Sequence, residues 1–130
     1  RAVVRALHFF GDCTRAAALY QAVAEDRFGD FLRLIIDGGH SSFEYNQNAY
    51  SIRHPQQQGV PLGLVLSQKV LQGRGAWRLQ GGGFAGTIQA FVPRDLLDEY
   101  RAMMERVFGQ GACYVLNVRN YGAIAVTADL

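Results

Sequence analysis

Arg78-Leu79-Gln80-Gly81-Gly82-Gly83-Phe84-Ala85-Gly86 lies between two segments rich in strand-forming residues. Three consecutive glycines remove three Cβ atoms and open the positive-φ region at each step. A chain uses such a run where backbone turns sharply or approaches another group closely. Gly81, Gly83 and Gly86 also spell G-x-G-x-x-G. That spelling implies a dinucleotide site only where a strand leads in and a helix leads out. Ala76–Gln80 reads as the incoming strand. Thr87–Val92, β-branched and aromatic and closed by Pro93, reads as a second strand. With no helix start aimed at the glycines, the dipole that would hold a pyrophosphate is missing. The run therefore predicts a glycine-rich hairpin.

Working outward, Arg94–Phe108 gives the clearest helix. Leu96, Leu97, Tyr100, Met103, Met104, Val107 and Phe108 fall on one stripe, with Gly109 closing it. Both methionines read as core, and Arg101 and Glu105 as an outward i,i+4 pair. Two short strands are predicted beyond it, Cys113–Val118 and Gly122–Val126. Upstream, Arg1 to about Asp26 is helical in pattern, with Val3, Val4, Leu7, Phe10, Ala17, Ala18 and Val23 as its apolar face. Gly11 weakens that helix by about 1 kcal/mol relative to alanine. A second helix runs from about Asp30 to Asp37 and stops at Gly38-Gly39. Ser41–Tyr45 reads as a further helical turn, followed by a polar loop. Pro61 opens a third helix at its first position, with Leu62, Val65, Leu66 and Val70 apolar and Gly73 ending it.

These elements predict one α+β domain over residues 1–130. The layout expected is a ferredoxin-like sandwich, an antiparallel sheet of about four strands with helices packed on one face. Hydrophobic residues make up 49% of the chain, enough for a core. The net charge of +2 and the scattered cations point away from a nucleic-acid surface. No stretch is long enough to span a membrane. Cys13 and Cys113 read as buried free thiols, and His8, His40 and His54 lack metal-ligand spacing. His8 reads as a core or interdomain residue and His40 as a helix-terminal one. The chain opens at Arg1 with no visible signal peptide, as expected of a segment of a longer polypeptide.

Several stretches together resemble the C-terminal domain of galactokinase, in the superfamily of galactokinase, homoserine, mevalonate and phosphomevalonate kinases. Arg5–Arg15 resembles that family's R-A-x-H-x-x-x-E-x-x-R helix. His40-Ser41-Ser42 and Tyr50-Ser51-Ile52 resemble its S-H-x-S-L and Y-x-V-S stretches. Gly75–Gly86 resembles its G-x-R-M-T-G-G-G-F-G-G signature. The matches occur in the family's order over roughly the first ninety residues. Gln80, Ala85 and Thr87 depart from the signature, and His54-Pro55-Gln56-Gln57-Gln58 replaces the family's C-P-E-L-D, which leaves the sugar open.

The resemblance implies a ferredoxin-like lobe of an ATP- and magnesium-dependent, cytoplasmic sugar kinase. It implies a hairpin, Gly81, Gly82, Gly83, Phe84 and Gly86, lying beside the nucleotide's phosphates. No catalytic residue and no metal ligand is transferred, because the family's phosphate loop and catalytic aspartate belong to its N-terminal domain. The expected partner is that domain of the same polypeptide, through which the sugar is bound. The chain alone would be inactive, and its uncovered face would favour self-association. The alternative weighed on sequence is a stand-alone ferredoxin-like module that binds a small effector at the same hairpin.

Overall fold

The computed structural model describes residues 1–84 and 86–122. Four helices dominate: α1 (Ala2–Ala24), α2 (Phe28–Ser41), α3 (Gly59–Leu71) and α4 (Leu97–Phe108). A π-helical turn, Ser42–Asn46, continues α2, and a 3₁₀ turn, Arg94–Leu96, leads into α4. Among the described residues there are two strands, β1 (Ala76–Leu79) and β2 (Ile88–Phe91), paired antiparallel with Ala76 opposite Phe91 and Leu79 opposite Ile88.

The four-stranded ferredoxin-like sandwich is therefore wrong. Cys113–Val118 forms no strand, and Tyr114, Leu116 and Val118 are more than four-fifths exposed. A strand needs a partner for its backbone groups as well as a strand-like composition. No partner meets this segment among the described residues. The predicted strand Gly122–Val126 lies outside the described residues beyond Gly122.

Helices also cover both faces of the ribbon rather than one. Alternate side chains of a strand point to opposite sides. Trp77 clusters with Leu71 of α3 and with Tyr100 and Met104 of α4, while Leu79 packs with Val60 and Ala49. Arg78 lies on the other side, against the Gly38-Gly39 pair of α2.

Those two glycines do not stop α2; they sit inside it. A Cβ on Gly39 would lie 3.0 Å from the Trp77 carbonyl oxygen and 3.2 Å from Arg78 Cα. The glycines let the helix axis approach β1. At the other end of α2, Phe31 stands edge-on to Phe91 of β2, with ring centroids 5.1 Å apart.

Helix α1 runs antiparallel to α2 as an outer layer. His8 Nδ1 lies 2.9 Å from Ser41 Oγ, and Arg5 Nε donates to the Asn46 carbonyl at 3.1 Å. The Arg15 side chain packs on Gly38 and donates to Asp12 at 2.6 Å. Much of the predicted core face of α1 is thus turned outward: Val3, Leu7, Phe10 and Val23 are each more than half exposed, while Val4 and Ala18 are half-buried. Cys13 is exposed and Cys113 half-buried, so neither is a buried thiol. Among the described residues, no helix is long and apolar enough to cross a membrane.

Candidate functional site

The structure gathers the five predicted site residues into one loop between β1 and β2. Gln80 N donates to the Thr87 carbonyl at 3.2 Å, Gly83 N to Gln80 at 3.4 Å, and Gly86 N to Gly83 at 3.1 Å. Gly81, Gly83 and Gly86 have φ of 58°, 88° and 81°. Left-handed φ at those three positions favours glycine.

The loop has two sides. Gly81, Gly82, Phe84 and Gly86 are exposed, with Phe84 at 61%, whereas Gly83 is buried. The amides of Gly81, Gly82 and Phe84 donate to no acceptor among the described residues. N–H groups on exposed residues, left without an acceptor, suit an anion.

Beneath the loop stands Asn48, only 2% exposed. Its Nδ2 donates to the Gly82 carbonyl at 3.0 Å. A Cβ on Gly83 would lie 2.3 Å from the Asn48 carbonyl oxygen and 2.8 Å from its Cγ. Gly83 is consequently the tightest point of the loop, and no L side chain fits there without displacing backbone. At Gly82, by contrast, a Cβ would meet nothing within 4 Å. Gly82 therefore serves this loop through its carbonyl and its exposure.

Asn48 is delivered by an unusual piece of backbone. In the π-turn after α2, Gln47 N reaches back five residues to the Ser42 carbonyl, at 2.9 Å. Gln47 then takes a left-handed conformation, φ 56° and ψ 47°, which reverses the chain. Arg5 fastens the turn to α1 through the Asn46 carbonyl. Single π-turns of this kind recur at functional sites. The sequence predicts a helical turn over Ser41–Tyr45, and the structure has one at Ser42–Asn46; Asn48 falls in the polar loop expected after it. A five-residue turn and a left-handed glutamine carry no compositional signature, so Asn48 was not legible.

Near Asn48 the chain also borders an open concavity of about 520 Å³, lined in part by Phe43, Glu44, Gln47, Tyr50 and Ile52. Arg78 Nε donates to the Leu79 carbonyl at 3.2 Å, and Arg78 joins no ion pair among the described residues. His40 is exposed. Among the described residues, no three histidine, cysteine or carboxylate side chains are grouped to hold a metal. No carboxylate, thiol or imidazole hydrogen-bonds to the hairpin there either.

The arrangement can present backbone donors to an anion. Among the described residues, no nucleophile or general base hydrogen-bonds to the loop. No protein-family model, curated protein or solved structure matches the chain.

Proposed function

We propose that this chain is a lobe of an ATP-dependent sugar kinase resembling galactokinase, with the glycine hairpin on the phosphate side of the cleft. The observation that carries the reading is the hairpin itself. Its left-handed glycines are braced by Asn48, and the amides of Gly81, Gly82 and Phe84, all exposed residues, donate to no acceptor among the described residues. Phosphoryl transfer depends mainly on positioning and on stabilising charge spread over phosphate oxygens. A rigid row of N–H groups suits that task, and it needs neither an acid nor a base nearby. The ordered stretches Arg5–Arg15, His40–Ser42 and Gly75–Gly86 support the same reading from sequence.

The reading requires the phosphate loop, the magnesium site and the catalytic base to come from the rest of the polypeptide. The bare apolar face of α1 is then the surface that the other lobe, or a second copy of this one, would cover. The test uses the natural full-length polypeptide with ATP, magnesium and a panel of monosaccharides, followed by ³¹P NMR. A sugar phosphate is expected with at least one sugar. Failure with every sugar, by folded protein, overturns the reading.

A further inference from the structure

We propose that Asn48 is a positioning residue for the glycine hairpin, holding the loop in its anion-receiving shape through the bond from Nδ2 to the Gly82 carbonyl. The inference rests on the kinase-lobe reading for what the loop receives, and on geometry for the clamp.

The first observation is the unequal use of the carboxamide. Nδ2 is bonded to Gly82, whereas Oδ1 is buried and accepts no hydrogen bond among the described residues. Burying an acceptor without a partner is unfavourable, and such groups call for an explanation. An apolar side chain of similar size would fill this space without leaving an acceptor open. The carboxamide is explained by the work of its other end.

The second observation is where that end acts. Of the loop carbonyls, Asn48 takes Gly82, which lies between the two left-handed residues Gly81 and Gly83. Holding this peptide group fixes the neighbouring Gly83 N–H, while the missing Cβ of Gly83 lets Asn48 approach. The exposed amides at Gly81, Gly82 and Phe84 all lie within two residues of the clamped carbonyl. Tightness of the clamp therefore sets how far those donors are ordered before a ligand arrives, which is the advantage of a preorganised site.

The experiment compares Asn48→Ala and Asn48→Asp in the natural full-length polypeptide, labelled with ¹⁵N at glycine, with Trp77 fluorescence as the check on folding. An ionised aspartate at position 48 faces the Gly82 carbonyl with no donor. A protonated one restores an O–H donor to it. In N48D the Gly82 and Gly83 amide resonances are expected to move away from wild type at neutral pH and to return as pH falls. Burial should raise the introduced carboxyl above its usual range. In N48A they are expected to stay displaced at every pH. A wild-type titration in parallel removes any pH response that the residue at position 48 does not cause.

Both variants are expected to lower kcat by about tenfold at neutral pH, with KM for the sugar unchanged. Wild-type resonances in N48A, or no pH response in N48D, overturns the inference. Should N48A not fold, the pH response of N48D decides alone. If wild-type protein phosphorylates no sugar, the kinase reading falls while the spectra still decide the clamp.

Discussion

The hydroxyl oxygens of Ser67 in α3 and Tyr100 in α4 lie 2.8 Å apart in the core. Ser67 also donates its proton to the Gly63 carbonyl, at 2.8 Å. Its oxygen is thereby left as the acceptor, and Tyr100 is the donor between the two helices. The asymmetry has an energetic consequence. Ser67→Ala strands the buried tyrosine hydroxyl and is expected to cost about 1–3 kcal/mol. Tyr100→Phe removes the donor itself and should cost less, about 1 kcal/mol. In a double-mutant cycle read by urea unfolding, the double variant should be less destabilised than the sum of the singles.

The same tyrosine predicts an alkaline limit. Burial raises the Tyr100 phenol, partly offset by its bond to Ser67. A group whose folded pKa lies above its unfolded one stabilises the protein fully below the unfolded value and loses that contribution as pH rises toward the folded value. Stability should fall as pH passes about 10, the unfolded tyrosine value. Tyr100→Phe should flatten that fall. Equal alkaline slopes in urea midpoints for both proteins would show that Tyr100 is not the group responsible.

An acid limit arises at the start of α2. Hydrogen bonds from Arg27 and then Arg33 hold the Asp30 carboxyl below the usual carboxylate range. Here the sign reverses: the contribution is present above the unfolded value and is lost as pH falls toward the folded one. Asp30→Asn should reduce the loss of stability between about pH 5 and 3, a window set by ordinary aspartate. The group is solvated, so the effect should be small and should shrink in about 1 M salt. A thermal-melt series across pH at two ionic strengths measures it.

Two glycines of α2 should behave oppositely. Gly39→Ala pushes a methyl onto Trp77 and Arg78 backbone and should destabilise by about 1–3 kcal/mol. Gly29 has open space at its Cβ position, so Gly29→Ala should stabilise by up to about 1 kcal/mol through helix propensity. Matching changes in melting temperature for the two variants would refute the close approach of α2 to β1.

Under the kinase-lobe proposal, the bare face of α1 is covered in the complete polypeptide. Leu7 and Phe10, 60% and 68% exposed in this chain, should then react less with hydroxyl radicals in the full-length protein than in the 130-residue chain. Equal labelling would place the partner surface elsewhere.

How much of this was legible in the sequence differs from element to element. Helix α4 was, because its apolar residues form a single stripe and Tyr100 and Met104 bury on it as expected. The hairpin was, because a glycine run closed on its far side by a β-branched, aromatic segment and a proline has few other conformations. The inward face of α1 was not. Apolar residues surround that helix, and the face turned inward was chosen by its neighbours: His8 meets Ser41, and Arg15 lies over the bare Cα of Gly38. Gly38-Gly39 read as a stop because the strand that needs their smallness lies almost forty residues downstream. Cys113–Val118 has strand composition, but pairing is decided by distant backbone. Around the glycines, the connection between two strands was legible and Asn48 was not, since its contact with the loop spans 34 residues of chain.

Strand β1 is only four residues long, yet it is the common neighbour of α2, α3 and β2. Its amides should consequently exchange with solvent only when the whole domain melts, at the global unfolding free energy. Helix α1, seated on α2 and its π-turn, can fray without disturbing that strand. The molecule thus divides into a last-to-open centre, from which the glycine loop emerges, and a peelable outer helix. Any force drawn through α1 would meet the detachable part first and leave β1 standing.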